Sequence, residues 1–560
     1  MISSKKKLIV FEDQYINSIT NFDKKKFELF FVNPAAYFNN LNNIKTNPNF
    51  FGEDFNEYIK NNFNSFSETH KKTLDNINEL NLDEISKETL TNLAIPILSV
   101  YFFARFNLKK TNYYFIHENK ILPVNKNTFK IYLKKFLLHQ KQLIFLKNKE
   151  IKQFFSWIIF FINKIIFKFL KNKNYILIQD SSYGFKNLIL NNKKKIFLKF
   201  NYLNKFNIVQ TLFSIYKFIF KKELFISLSI PILKNRKEIL ENDLNIFDHL
   251  DHDLSVITNK PLNHILTYLN ILNKNFHHYV FNNINPDLSL FHNLKWADEL
   301  IFSQTNVKNN CYLVSHASHP LPNNHISYFF LKDLSKGLLY SKFASKFLLQ
   351  SSNALESFIH FKYPIEKSLK IEPFVWGYKK LNNFSINKNI GCTTLLHAST
   401  FKINSFRPYI YENANIYYLK LKKLCDLVSI SPKLKLIIRP CVNKDFTNEN
   451  FIKLLKNYNS KNILISKNQS FIEDLQISDI LISFSSTTIE EAIYLNKRVI
   501  LLSGKDEHRH FNINRTLQTM NIFKIDANNF NLKIDKLKNA KIMHVDEDCN
   551  LDINKIINEK

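Results

Sequence analysis

Five apolar runs of strand length in the last third of this 560-residue chain most constrain its fold. They are TTLLHAST, KLKLIIRP, KNILISK, SDILISFSS and KRVILLS, at residues 393–400, 433–440, 461–467, 478–486 and 497–503. Each run is apolar without strict alternation, which is typical of strands buried on both faces. Segments with helical spacing separate the runs. This alternation predicts a parallel sheet covered by helices.

The same alternation begins near residue 174, in runs such as NYILIQDSS, LFISLSIPI and NCYLVSHASHP. Before that point the spacing of apolar residues is helical. We therefore predict an α/β chain with a helical N-terminal region (1–172), two Rossmann-like domains with parallel sheets (173–380 and 388–530) and a polar tail (531–560). The Asn-rich segment at 378–389 is the predicted linker. The tail is either a helix that crosses back or a loose end.

Composition excludes the nucleotide sites that depend on glycine. The chain has only six glycines, and they are too widely spaced to form a Walker loop or a GxGxxG fingerprint. Its net charge is +30, and the excess of Lys, Asn, Ile and Phe indicates that an AT-rich genome contributes much of it. The charge still favours an acidic partner, either phosphates or anionic lipid. No nucleic acid is expected, because no zinc, helix-turn-helix or RNA-binding motif appears.

Cysteine usage and the N-terminus predict a cytoplasmic protein. The five cysteines are odd in number and never form CxxC, so neither disulfides nor structural zinc sites are expected. The N-terminus lacks a signal-peptide pattern.

A basic amphipathic segment at 129–172 adds a membrane interpretation. It contains FFSWIIFFINKIIFKFL (154–170), whose Lys164 and Lys168 share one helical face with the following Lys171. Two interpretations stay open. The helix lies on the anionic inner face of the cytoplasmic membrane, or it packs on the protein's own core while its lysines reach solvent.

Polar residues follow the predicted strands at the edge where open α/β sheets bind ligands. The strand NCYLV is followed by His316 and His319. The run TTLL leads to His397, with Arg407 soon after, and KLKLII leads to Arg439. Because lysine is far more frequent than arginine in this chain, an arginine at such a position indicates that the planar guanidinium is needed there.

The most specific motif is SFSSTT, which the helical pattern IEEAIYLN follows. It places Ser485, Ser486, Thr487 and Thr488 at a helix N-terminus. Hydroxyls, unpaired backbone N–H groups and the helix dipole favour an anion there, so the motif predicts a phosphate site that needs no glycine. The alternative is that these residues only cap the helix, with Glu490 or Glu491 completing a capping box.

At these residues the chain resembles GT-B glycosyltransferases, in particular those of bacterial capsule and surface-polysaccharide synthesis. SDILISFSSTTIEEAIYLNKRVILLS is similar to their nucleotide-donor half, where Glu-Ala on the helix and a Val opening the next strand correspond to Glu491, Ala492 and Val499. Asn496 and Arg498 stand where Gly and Pro are usual. IIRP resembles the strand ending in Arg of CDP-glycerol glycerophosphotransferases, although Pro and Cys follow it where His is common.

The resemblance implies a GT-B-like fold, with an acceptor site in the first Rossmann-like domain and the nucleotide donor in the second. LVSHASHPLP resembles the turn that carries a catalytic base, which assigns His316, with His319 beside it. Donor phosphate binding is implied for His397, Arg407, Arg439, Ser485, Ser486, Thr487 and Thr488, and ribose binding for Glu491. General chemistry agrees, because sugar transfer needs a base and needs cations on the leaving phosphate. Either candidate base could instead be a buried structural His, and Arg407 could pair with Glu412.

A second motif, FDHLDHDLS at 247–255, contains the triplet Asp251-His252-Asp253. This DxD form binds a divalent metal and a sugar nucleotide in the other glycosyltransferase fold. No strand-like run leads into it, so a solvated acidic turn is the favoured interpretation, and we predict no metal and no cofactor. Asp180 and Ser181 after another strand either line the acceptor side or form an exit turn.

These features predict a metal-independent transferase that moves a sugar from a nucleotide-activated donor to a surface polysaccharide or a lipid-linked acceptor. One alternative is a polyol-phosphate transferase, of the glycerophosphate type, on the same fold. The other is a noncatalytic basic protein that binds membranes or nucleic acid.

Overall fold

The structure is a computed structural model of the chain. It describes residues 5–10, 26–40, 48–108, 112–128, 174–179, 196–201, 225–229, 285–295, 310–315, 319–373, 391–401, 413–441, 445–458, 461–503, 517–539 and 551–558, apart from positions 52, 126, 321, 323, 469 and 485, and isolated residues between these ranges. We call 5–124 the N-terminal module, 174–373 the central domain and 391–539 the C-terminal domain.

The N-terminal module combines four helices with a small sheet. Its elements are β1 (Lys6–Val10), β2 (Phe27–Phe31), α1 (Pro34–Asn40), α2 (Glu53–Asn61), α3 (Phe63–Glu79), α4 (Glu84–Leu108), β3 (Tyr113–His117) and β4 (Lys120–Pro123). The strand order is β2-β1-β3-β4, with only β4 antiparallel. The helices agree with the predicted helical region, whereas its spacing does not predict the sheet. Strands of only four or five residues are too short for periodicity to distinguish them from helix.

Helix α4 is long and apolar enough to cross a membrane, judged by length and composition alone. However, 65% of its most apolar window is buried inside the protein, and it packs against α2 and α3. This burial is what the core helix of a globular protein shows.

Within the predicted amphipathic segment (129–172), the structure describes only residues 131, 132, 165, 166, 168 and 170, all of which are helical. Ile166 and Leu170 are buried in the main core, whereas Ile165 is 70% exposed and Lys168 is exposed. These positions fit a helix packed on the protein's own core with an outward lysine. Lys164 and Lys171 lie outside the described residues, so membrane contact stays a prediction.

The central domain contains a seven-stranded parallel sheet. Its elements are β5 (Tyr175–Gln179), β6 (Ile196–Asn201), β7 (Phe225–Ser229), β8 (Leu288–Phe291), β9 (Cys311–Val314), α5 (His325–Ser335), β10 (Lys346–Leu349), α6 (Ser352–His360) and β11 (Ser368–Lys370). The strand order is β11-β10-β9-β8-β5-β6-β7, and each pairing is parallel. Numbered within the domain, its first six strands follow the doubly wound Rossmann order 3-2-1-4-5-6.

The C-terminal domain repeats this order. Its elements are β12 (Thr393–Ala398), α7 (Ala414–Ser429), β13 (Leu434–Arg439), α8 (Asn448–Leu455), β14 (Ile463–Ile465), α9 (Phe471–Gln476), β15 (Ile480–Ser483), α10 (Thr487–Tyr494), β16 (Arg498–Ser503), β17 (Leu517–Asn521) and α11 (Ala527–Asn539). The order β14-β13-β12-β15-β16-β17 is again 3-2-1-4-5-6, with parallel pairings. All five predicted runs form strands, and β17 is a further strand.

Burial on both faces of the sheet explains why the sequences of these strands are unbroken apolar runs. Every residue of β12 is buried, and neighbouring side chains enter different clusters, with Leu395 in the main core and Leu396 packed near α10. The predicted α/β, GT-B-like fold class with two Rossmann-like domains is therefore confirmed. The linker at 378–389 lies outside the described residues, and the domain boundaries stay predictions.

The chain end returns to the central domain. Helix α12 (Ile553–Asn558) buries Ile553, Ile556 and Ile557 in the same cluster as Ile176 of β5. Before it, the Glu372 N–H donates to the Leu551 carbonyl at 3.2 Å. Of the two interpretations of the tail, the structure has the helix that crosses back.

Candidate functional site

The predicted phosphate motif lies where the strand order of the C-terminal sheet reverses. Strands β12 and β15 are neighbours, but the chain leaves β12 toward β13 and leaves β15 toward β16. The two connections diverge and open a crevice at the carboxyl ends of the strands, which is where open α/β sheets bind ligands. Residues 399–400 follow β12 at this edge, and 484–488 follow β15.

Five hydroxyl side chains gather at this reversal, and we call them the hydroxyl cluster: Ser399, Thr400, Ser483, Ser486 and Thr488. Ser483 Oγ and Thr488 Oγ1 both donate to the Ala398 carbonyl, at 2.6 and 3.1 Å. Ser399 Oγ accepts from the Phe484 N–H at 3.1 Å, and Thr400 Oγ1 lies 3.2 Å from Ser486 Oγ. These bonds join two strand ends and a helix start, so the cluster is held in one arrangement.

Helix α10 begins at the predicted motif. Ser486 is its N-cap, and its Oγ accepts from the Thr488 N–H at 3.3 Å. Thr487 and Thr488 are half-buried in the first turn. The third helical residue is Ile489, so neither Glu490 nor Glu491 completes a capping box. Ser485 lies outside the described residues.

His397 does not reach the crevice. Its ring is fully buried between β12 and α7, with Nδ1 2.9 Å from the Ile482 carbonyl and Nε2 3.2 Å from Tyr417 Oη. Burial lowers the pKa of His397 to about 4, so the ring is neutral near pH 7. Alternation along β12 turns the side chain onto the face that α7 covers. The phosphate contact predicted for His397 has no support in this arrangement and stays a prediction.

Arg439 lies at the predicted strand end, but an ion pair engages its guanidinium. As the last residue of β13 it pairs in register with Ala398, one strand away from the hydroxyl cluster. Its Nη1 donates to Asp474 Oδ2 at 2.7 Å and to the Asn468 and Ser470 carbonyls at 3.2 Å. The Asp474 side chain is fully buried, whereas 27% of the Arg439 side chain is exposed. The guanidinium is thus held at the sheet edge.

Asp474 was not predicted as part of this site. Its carboxylate also accepts from Ser466 Oγ at 2.6 Å and from Asn468 Nδ2 at 2.9 Å, so the buried charge has three donors. No spacing rule links a residue on α9 to the end of β13. Only the packing of that helix reveals the partner.

Glu491 lies on the buried side of α10 and is 8% exposed. Its predicted contact with a ribose stays a prediction. Beyond the helix, Asn496 has a φ of 57°. Gly and Asn are the residues that adopt this left-handed conformation most readily, so Asn496 is a residue type that suits the turn before β16.

In the central domain, Ser315 and His319, which flank the predicted base in the sequence, are both held by hydrogen bonds. The Ser315 carbonyl accepts from the Gln350 side-chain amide, and Ser315 Oγ accepts from the Gln350 N–H at 3.1 Å. The His319 N–H donates to Ser357 Oγ at 3.2 Å, and that hydroxyl donates to the His319 carbonyl at 2.9 Å. His319 is only 6% exposed, which fits its structural interpretation. His316 lies outside the described residues, as does Arg407.

The part of the chain that the structure describes contains no group of three or more His, Cys, Asp or Glu that could hold a metal ion. The predicted DxD triplet lies outside that part. Next to it, His249 Nε2 lies 3.3 Å from Thr73 Oγ1 and Asn76 Nδ2 donates to the Ile246 carbonyl at 2.9 Å. This neighbourhood therefore packs against α3.

Comparisons with known proteins find structural similarity only. No family model matches the chain, and no curated protein matches it either. Among solved structures, UDP-GlcNAc 2-epimerase from Neisseria meningitidis bound to UDP-GlcNAc is 13% identical, with a TM-score of 0.39, over 69% of this chain and 98% of that one.

Two glycosyltransferases are similar to the same extent. The lipopolysaccharide outer core galactosyltransferase WaaB is 11% identical, with a TM-score of 0.33, over 66% of this chain and 91% of its own. Medicago truncatula UGT71G1 complexed with UDP-glucose is 9% identical, with a TM-score of 0.36, over 66% and 92%. At these values the likeness carries no functional argument, so function must be argued from the chain's own strand order and site.

Proposed function

We propose that this chain is a glycosyltransferase that takes its sugar from a nucleotide-activated donor. The observation that carries the proposal is the hydroxyl cluster at the N-terminus of α10, located at the reversal point of a Rossmann-order sheet. Hydroxyls and helix N–H groups suit phosphate oxygens. They also stabilise the negative charge that develops on the leaving phosphate during transfer.

The remaining roles follow from the two domains. His316, between two anchored residues of the central domain, is the proposed base that takes the proton from the acceptor hydroxyl. Arg439 and Arg407 would neutralise the donor phosphates, and Glu491 would accept hydrogen bonds from the ribose. The two arginine side chains can take the place of a divalent metal, so sugar transfer should continue in the presence of a chelator. Strict dependence of transfer on added Mg²⁺ or Mn²⁺ would contradict the proposed metal independence.

The proposed acceptor is a growing surface polysaccharide or a lipid-linked saccharide at the cytoplasmic face of the membrane. The net charge of +30 supports a location near anionic lipid. Flotation with anionic vesicles but not with neutral ones would support it. A donor labelled in its phosphates separates this proposal from polyol-phosphate transfer: in sugar transfer both labels stay with the nucleotide, whereas in polyol-phosphate transfer one passes to the acceptor.

Calorimetric binding of UDP, CDP, GDP and CMP tests the donor site directly. Uridine, cytidine and guanosine serve as the matching ligands without phosphate. We expect at least one nucleotide to bind more tightly than its nucleoside. Ser486→Ala and Thr487→Val should then weaken nucleotide binding about tenfold, which is the usual effect of losing one hydrogen bond to a charged group, and should leave nucleoside binding unchanged.

Thr447→Ala is the matched control. Thr447 Oγ1 caps α8 by accepting from the Asn450 N–H at 3.4 Å, so this variant also loses an N-cap hydroxyl, but away from the reversal point. Its nucleotide affinity should equal that of the wild type. If no nucleotide binds the wild type, or if the Ser486 and Thr447 variants weaken binding equally, the donor site is not where we place it.

A further inference from the structure

The N-terminal module contacts both Rossmann-like domains. At the C-terminal domain, Asn33 Nδ2 donates to Asp445 Oδ1 at 2.9 Å, and the Ala35 N–H donates to the Asp445 carbonyl at 3.0 Å. Asn33 and Asp445 are both fully buried. Buried polar groups bonded across an interface indicate a specific contact, because separation would leave them without these partners.

Aromatic side chains surround this contact. Phe38 of α1 stacks on Phe446 with ring centroids 6.0 Å apart and 8° between the planes, and it meets Tyr418 of α7 edge-on at 5.6 Å. Tyr37 also faces Tyr418, at 6.0 Å. All four rings are buried, so this end of the module is part of the core of the C-terminal domain.

The other end of the module packs on the central domain. Phe63 and Phe66 of α3 face Phe330 of α5, with ring centroids 6.4 and 5.3 Å apart. Asn92 Nδ2 on α4 donates to the Lys295 carbonyl at 3.0 Å, with both residues buried. An exposed ion pair of 2.7 Å between Lys342 and Glu84 lies at the same boundary.

Four of the contacted segments follow strands of the two sheets. Lys295 comes after β8 and α5 comes after β9, while Tyr418 lies near the start of α7 after β12 and Asp445 comes after β13. The carboxyl ends of parallel strands meet at one edge of a sheet, and ligands bind at that edge. The module therefore reaches the ligand-binding edge of both domains, and at the central domain its contacts extend along α5 to Lys342, which precedes β10.

The module is also continuous between its two attachments. Its sheet, its helices and both interfaces belong to a single buried apolar cluster. Phe51, beside β2, meets Phe103 of α4 at 5.7 Å, which ties the part that holds α1 to the part that holds α3 and α4. Densely packed cores do not deform continuously, so a packed module transmits position from one end to the other.

We propose that the N-terminal module is a strap that fixes the separation of the two Rossmann-like domains, so that substrates enter a cleft of constant width. This inference does not depend on which ligand binds. It assigns a role to a region in which the sequence shows no functional motif. It also predicts that a nucleotide changes the spacing of the domains little.

Distances between two spin labels test the strap. Cys392 is exposed just before β12, and Lys367 is exposed on the central domain. Lys367→Cys in a chain that also carries Cys441→Ser and Cys549→Ser gives one label site in each domain. Cys311 and Cys425 are buried, and burial raises the pKa of both thiols, so neither should take up label.

Two variants release the strap at opposite ends. Asn33→Asp keeps the acceptor that caps α1, since Asn33 Oδ1 accepts from the Ala36 N–H at 2.8 Å, but it places a carboxylate against Asp445. Phe63→Ala removes an aromatic contact with the central domain. Asn49→Asp is the matched control: Asn49 Nδ2 donates to Glu28 Oε1 at 3.0 Å on the exposed surface of the module, so this variant also places a carboxylate against an acidic residue, but within the module.

We expect one narrow distance distribution in the labelled background and in the Asn49→Asp variant, unchanged by millimolar UDP. Both releasing variants should broaden it or add a longer distance, while circular dichroism shows that they remain folded. If one releasing variant fails to fold, the other still tests the strap. A distribution that is already as broad in the background, or that stays narrow in every folded releasing variant, would overturn the proposal.

Discussion

Replacing His397 by Gln should remove part of the acid sensitivity of this protein. The Ile482 carbonyl can only accept, so Nδ1 carries the ring proton and Nε2 accepts from Tyr417 Oη. A glutamine amide can also donate to one group and accept from another, but it does not titrate. His397→Gln therefore keeps the type of contact and removes the ionisable group.

The expected size of the change in stability follows from the pKa of His397, which burial lowers from 6.5 to about 4. Between these values the unfolded chain binds a proton that the folded protein does not bind, so the free energy of unfolding decreases as the pH falls through this window. Above pH 6.5 and below pH 4 the contribution is constant. The full change is about 3 kcal/mol, at 1.36 kcal/mol per pKa unit.

Urea unfolding followed by circular dichroism at about pH 7.5 and about pH 4.5 measures this difference. Between these two pH values the loss of stability in His397→Gln should be smaller than in the wild type by about 2 to 3 kcal/mol. Burial also lowers the pKa of His70 to about 4, so both proteins should keep an acid sensitivity of similar origin. His325→Gln, which replaces an exposed histidine, is the matched control for the substitution itself.

An unchanged pH dependence in His397→Gln would refute the buried position of the ring. If the same variant also weakened nucleotide binding, the phosphate contact expected from the sequence would be correct and the placement in the structure would be wrong. The two measurements together therefore decide between the core and the crevice for this residue.

Three further substitutions test the packing. Gly337→Ala should lower the free energy of unfolding by more than about 3 kcal/mol, because the new Cβ would lie 2.7 Å from the Lys295 backbone nitrogen at a φ of 74°. Gly391→Ala should lower the free energy of unfolding by less, because its φ is 108° but no atom lies near the new Cβ. Thermal unfolding of the two variants measures the difference. Asp474→Asn should lower stability by about 3 kcal/mol in urea, because it breaks a buried ion pair. Asn496→Gly should be neutral or stabilising and Asn496→Ala should cost about 1 kcal/mol, since the backbone is left-handed there; equal effects of the two would contradict that conformation.

The C-terminal sheet was predictable because each of its central strands is buried on both faces. That burial requires unbroken apolar runs, and such runs with helical segments between them indicate a parallel sheet. The position of the hydroxyl motif was predictable for a related reason: the chain order of strand, hydroxyl residues and helix already places those hydroxyls at a helix start. The strands of the N-terminal module show the limit, because four or five residues carry little periodic signal.

The amino-acid sequence by itself determined the α/β class, the two series of strands and the position of the hydroxyl residues at the start of α10, because these depend on neighbours along the chain. Only the tertiary structure decided the direction of the His397 ring, the partner of Arg439 and the attachment of the N-terminal module to both domains. Each of these depends on residues far apart in sequence, such as Asn33 and Asp445, which no local pattern connects. Long-range packing, rather than local propensity, sets which side chains reach the crevice and which remain in the core.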